Sequence, residues 1–124
     1  MRYSEPLPED CPPAEAEEIT AARTVFRLSR SNPATLEDFR SQRAEQPETP
    51  FKVRECQARG LSVFADRADI EQVKKIHKFR NWSICHVQLK DGAGCIEQTG
   101  RPSHHTWWPL ADFDILAHCR TEAV

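Results

Sequence analysis

Residues 83–99 constrain the fold more than any other stretch of this chain. Ser83 to Lys90 alternates apolar and polar side chains, Asp91-Gly92-Ala93-Gly94 supplies a turn, and Cys95 to Thr99 returns. A period of two is the pattern of a half-buried strand, and a glycine-bearing turn between two such runs signals a hairpin. Setting Lys90 opposite Cys95 puts Val87, Leu89 and Ile96 on one face. The other face then carries His86, Gln88, Lys90, Glu97 and Thr99.

The remaining pattern extends this sheet. Thr24–Ser29 reads as a strand, broken by Ser31-Asn32-Pro33. Thr35 stands ahead of Asp38 as in a capping box, and opens a short helix that ends before Pro47. Phe51 to Cys56 reads as an edge strand and Leu61–Phe64 as a strand entered through Gly60. Asp66 caps a helix whose apolar stripe is Ile70, Val73 and Ile76 or His77. His104 to Trp108 is a further strand, and Leu110 to Cys119 is balanced between helix and strand. Short connections in the second half favour antiparallel pairing. The expected fold is α+β, a small mixed or mainly antiparallel sheet covered by two helices.

With 124 residues the chain is the size of one domain. Residues 1–19 hold Pro6, Pro8, Pro12 and Pro13 among acidic side chains, and are expected to form an arm, mobile or docked on the domain of residues 20–124. Ala14 to Ala22 can make a short helix after the prolines. The net charge of −2 divides unevenly, for six carboxylates face only Arg2 in the first twenty residues. The body is mildly basic, far from the pI above about 9 of a nucleic-acid-binding domain, and nucleic acid is not an expected partner. No apolar run approaches the roughly 20 residues that span a bilayer, and no basic start precedes an apolar stretch, so a cytoplasmic location without a membrane partner is expected. Five cysteines without a C-x-x-C pair suit mostly reduced, semi-buried thiols.

Ser103-His104-His105-Thr106-Trp107-Trp108-Pro109 concentrates two imidazoles and two indoles. Extended, it places His105 with Trp107 on one face and His104, Thr106 and Trp108 on the other. One tryptophan is then expected in the core, the other exposed or covered by the arm, with His105 and Trp107 at a site. Cys85, His86, Cys95, His104, His105, His118 and Cys119 offer zinc-type donors, but their spacings match no finger, ribbon or H-E-x-x-H site, so zinc is not expected. A cysteine nucleophile polarised by His105 lacks a distinguishing context, apart from Cys95 directly after Gly94. An anion cleft is better provided for. Arg27 would hold phosphate, Ser62 would orient a ribose and tryptophan would stack on a ring.

Val25-Phe26-Arg27-Leu28, Leu61-Ser62-Val63-Phe64 and His104-His105-Thr106 follow an order that resembles small bacterial proteins of unknown function, over most of residues 24–110. More distantly, the order of Arg27, Ser62 and Glu97 resembles the Arg, Ser, Glu order of ADP-ribosyltransferases. Glu97-Gln98-Thr99 departs from that family's paired acidic or Gln/Glu residues two apart. The distant resemblance implies NAD as cofactor, with Arg27 on the pyrophosphate and Ser62 on the nicotinamide ribose. Glu97 or a histidine would stabilise the oxocarbenium charge, and Arg27, Ser62 and His105 would line one cavity. The leading expectation is a domain that binds a protein partner or a small anionic ligand through the His104–Trp108 region. An NAD-using transferase or glycohydrolase follows, then a subunit of a toxin–immunity or defence system whose contact is the arm.

Overall fold

The computed structural model describes residues 2–123. Seven strands form one sheet: β1 (Glu17–Glu18), β2 (Arg23–Ser29), β3 (Leu61–Phe64), β4 (Ser83–Leu89), β5 (Gly94–Gln98), β6 (His104–Pro109) and β7 (Cys119–Thr121). Their order is β1-β5-β6-β3-β2-β4-β7, and every pairing is antiparallel. The helices are α1 (Gln42–Glu45), α2 (Glu55–Ala58) and α3 (Arg67–Lys74). The α+β expectation therefore holds, with three short helices in place of two. None of them is long and apolar enough to cross a membrane, among the described residues.

The hairpin expected over residues 83–99 does not form, although both strands and the turn do. β4 pairs with β2 through seven register positions and β5 with β6 through five, so each finds a long ladder elsewhere. Residues 90–93 nonetheless join strands that stand four positions apart in the sheet. A flat sheet would separate them by about 19 Å at the usual strand spacing, beyond the roughly 17 Å reach of such a link. The open sheet must therefore curl, and its inner face buries Val25, Leu61, Val63, Val87, Leu89, Ile96 and Trp107 in one cluster. Facing was read correctly, since Val87, Leu89 and Ile96 all enter this core. Gly94 serves a close approach: its φ is +117°, and an added Cβ would strike the carbonyl of Trp108.

The outer face has a second cluster, in which Leu28, Ile70 and Ile84 pack with Phe26, Phe64, Val73, Phe79 and Trp82. Helix α3 covers it. Asp66 accepts from the N–H of Ala68, satisfying one orphan donor of its first turn.

The N-terminal arm is docked. Its expected helix at residues 14–22 is replaced by turns and β1, because Glu17 and Glu18 pair with Ile96 and Cys95 while Ile19 is buried in the core. Glu5 bonds Ser41, Arg59 donates to the carbonyl of Pro6, and Cys11 is bridged to Cys56. Two of the five cysteines are thus paired, while Cys85, Cys95 and Cys119 are free. The expected edge strand at 51–56 is instead a loop entering α2. Phe51 stacks under Arg43, and Glu55 is clamped by Arg43 and Arg59, so these side chains hold the segment off the sheet. Residues 110–118 run as loop and a short 3₁₀ turn, and place Phe113 and Ile115 against the core.

Candidate functional site

Phe26↔Phe64 is the one register pair between β2 and β3. Beyond it the strands part, and the guanidinium of Arg27 fills the gap. Its Nη1 donates to the carbonyl of Ser62 at 2.7 Å, Nε to Asp38 at 2.9 Å and Nη2 to Arg40 at 3.2 Å. Arg27 therefore replaces a missing ladder and fastens residues 38–40 to the sheet. No carboxylate pairs with it among the described residues. Burial holds its pKa down to about 10, against the opposing pull of Cys85 and Asp38. Each Nη carries a second hydrogen, so the group keeps donor capacity.

A cavity of about 330 Å³ opens on this gap. Arg27, Arg30, Arg40 and Lys78 line it, with Glu45 as the opposing carboxylate and Ser62 on its wall. Arg30 lies over Trp82 and Lys78 over Phe79, so apolar rings support two of the cations. Glu45 is 3.9 Å from Arg40, both partners well exposed, and such a pair contributes little. The excess of cations over carboxylates makes the cavity attractive to an anion.

The arm builds one wall from behind. Glu5 accepts from Ser41 N–H and hydroxyl, and Ser41 in turn accepts from Ala44 N–H to cap α1. Arg43 joins α1 to α2 through both oxygens of Glu55. The Glu55 carboxyl is held at about 2, first by Arg43 and then by Arg59.

Beside the cavity, the outer face carries a row of polar side chains. The registers Ser62↔Thr106 and Glu97↔Thr106 set Ser62, Thr106 and Glu97 side by side across β3, β6 and β5. His104 is diagonal to Ser62, with Nε2 3.1 Å from Ser62 Oγ. His104 Nδ1 is 2.9 Å from Thr99 Oγ1, which is 2.8 Å from Thr106 Oγ1. Burial, and then the charge of His105, hold His104 below the ordinary imidazole range. Glu97 Oε1 is buried without a hydrogen-bond partner, and Arg54 is its nearest cation at 3.7 Å.

The structure divides the residues expected at the site. Arg27 and Ser62 meet at one cavity, and Glu97 lies two strands from Ser62 on the same face. His105 does not join them. It sits on the opposite face from Ser62, in register with Val63 and Gln98, and its Nδ1 lies 2.8 Å from the carbonyl of Ser103. Trp107 is unavailable to a ligand because it is wholly buried, with Nε1 bonded to the carbonyl of Ala93. Trp108 is buried as well, beneath α2, its Nε1 bonded to the carbonyl of Cys56. Neither indole offers an exposed patch to a partner. His118 stacks on Phe113, away from the cavity. Among the described residues no three His, Cys, Asp or Glu side chains gather as a metal ion would require.

Sequence reasoning missed Arg30, Arg40 and Lys78 because they are ordinary surface cations until β2 and β3 part. It grouped His104 with Thr106 correctly but chose His105. The signal for His104 was its shared parity with Thr106. No protein-family model, curated protein or solved structure matches the chain.

Proposed function

We propose that this domain binds a small phosphate-bearing anion in the cavity between β2 and β3. The observation that carries the reading is the convergence of Arg27, Arg30, Arg40 and Lys78 on one concavity with Glu45 as the opposing carboxylate. Arg40 and Lys78 are exposed at its rim, while the half-buried Arg27, held by three backbone carbonyls, supplies a fixed positive base. The reading keeps the small-ligand half of the expectation and moves it from the tryptophans to the cavity. A protein partner is left with the outer side of the docked arm as its contact, and so is a role in a toxin–immunity pair.

An NAD-using enzyme is the second reading. The row of Ser62, Thr106 and Glu97 beside a cavity that contains Arg27 favours it. A cytosolic setting would keep Cys11 and Cys56 largely reduced, so the redox state of this pair in the cell reports the location.

Thermal unfolding in millimolar pyrophosphate tests the main reading. A ligand that binds only the folded state raises the midpoint by mass action. We expect a rise that is lost in Arg40→Ala/Lys78→Ala and shrinks as salt is added. An equal rise in that variant, or none in the wild-type chain, overturns the reading. A rise with NAD well above that with pyrophosphate, together with nicotinamide release, selects the second reading.

A further inference from the structure

We propose that Ser62 is a nucleophile activated by His104, and that it attacks acyl esters of phosphorylated alcohols whose phosphate occupies the cationic cavity. The proposal rests on the anion-binding reading for its substrate class and on the hydroxyl–imidazole chain for its chemistry.

Three elements of an activated hydroxyl are present. The nucleophile is accessible, since Ser62 is exposed on the outer face and lines the cavity. The base is in reach, with His104 Nε2 at 3.1 Å. A third group orients the base, for Thr99 Oγ1 stands 2.9 Å from Nδ1. With its proton on Nδ1, the imidazole donates to Thr99, Thr99 donates to Thr106, and Nε2 is left bare to receive the Ser62 proton. This is the nucleophile, base and orienter arrangement of covalent catalysis, with a hydroxyl where a carboxylate is more common.

The imidazole is also fixed in place. Phe64 meets it edge-on at 5.3 Å between centroids. Gly100 lies so close beneath it that an added Cβ would fall 3.2 Å from His104 Cβ. The N–H groups of Thr99 and Gly100 both donate to the carbonyl of His104, which closes the turn onto the strand. Partial burial disfavours imidazolium, so the ring is in the state a base needs at neutral pH.

The reaction balances with water as co-reactant. Ser62 Oγ bonds to the carbonyl carbon while its proton passes to His104 Nε2. The ester C–O bond then breaks, and the phosphorylated alcohol leaves with that proton. Water, deprotonated by the same nitrogen, cleaves the acyl-serine to a carboxylic acid and restores Ser62. Thr99 is a positioning residue in this scheme.

Labelling of the full chain with diisopropyl fluorophosphate, read by intact mass and peptide mapping, tests the proposal. The expected result is one adduct on Ser62 with loss of fluoride, absent in Ser62→Ala. Its rate should rise with pH through a midpoint below the roughly 6.5 of free imidazole. His104→Gln keeps the side chain's polarity but cannot take the proton, and should slow labelling about 100-fold or more, with its thermal midpoint recorded alongside. Pyrophosphate should protect Ser62. No adduct while pyrophosphate still raises the midpoint overturns the nucleophile and leaves the anion reading intact. An adduct that pyrophosphate does not slow overturns the substrate class. Equal labelling in a folded His104→Gln chain, or a rate flat across the imidazole range, overturns the role of His104.

Discussion

Glu5 accepts two hydrogen bonds from Ser41, one from the backbone N–H at 2.9 Å and one from the hydroxyl at 2.6 Å. A residue of the arm thereby fixes the start of α1, and with it Arg40 on the cavity wall. Replacing Glu5 by Ala leaves the Ser41 donors without that acceptor, which costs about 1–3 kcal/mol for buried groups. Urea unfolding should show this loss, and pyrophosphate affinity should fall in the same variant. An unchanged affinity would mean that the arm does not hold the wall.

The Cys11–Cys56 bridge closes a separation of 45 residues between the arm and α2. Chain-entropy arguments assign about 4 kcal/mol to a loop of that size. Cys11→Ser/Cys56→Ser should lower the urea midpoint accordingly, and a reducing agent should do the same to the wild-type chain. The double variant should not respond to the reducing agent.

Gly60 admits no side chain. A Cβ there would collide with Thr106 Cγ2 and fall 3.0 Å from Trp108 Nε1, both on buried residues. Gly60→Ala should destabilise the fold by about 1–3 kcal/mol through overpacking. It should also displace Ser62 and reduce its labelling. Wild-type stability in this variant would show that the α2–β3 junction has room to shift.

Glu122 ties α3 to the C-terminal strand. Both its oxygens are bonded to Arg67, at 2.6 and 2.7 Å, and His86 Nε2 is 2.6 Å from it. The hydrogen bond from Arg67 is the largest influence and partial burial opposes it, leaving the carboxyl at about 2 against an ordinary 4.5. A depressed carboxylate stabilises the fold fully above its ordinary pKa and loses that contribution as pH falls through the folded value. Stability should therefore decline between about pH 4.5 and 2. Urea midpoints across this window should fall less steeply in Glu122→Gln. The same slope in both proteins would remove Glu122 as the cause.

Local signals were legible wherever the residues themselves set the geometry. Alternation located β2, β3, β4, β5 and β6, and it assigned Val87, Leu89 and Ile96 to the core. Asp66 marked the start of α3. The segment 51–56 misled because its decisive partners are distant in sequence, Cys11 for Cys56 and Arg43 for Glu55. Ala14–Ala22 misled for a related reason: burial of Ile19 against β5 outweighs a weak helical preference.

The candidate site was half legible. Arg27, Ser62 and Glu97 stood out by residue type and order, while the choice of His105 over His104 turned on which face of β6 meets the core. Strand periodicity separates the two faces but does not say which is covered.

The positions of β2, β3, β4, β5 and β6, the start of α3 and the two-faced nature of residues 103–109 were determined by the sequence itself, because each depends on contacts between near neighbours. Partnership among strands was decided only in three dimensions. The turn at Asp91–Gly94 fixes the chain's direction, yet β4 and β5 gain more by pairing with β2 and β6 than with each other. That exchange curls the sheet, in which β2 and β3 share a single register pair. It also brings Arg27, Arg30, Arg40 and Lys78 to one cavity beside Ser62, through contacts to which no local pattern refers.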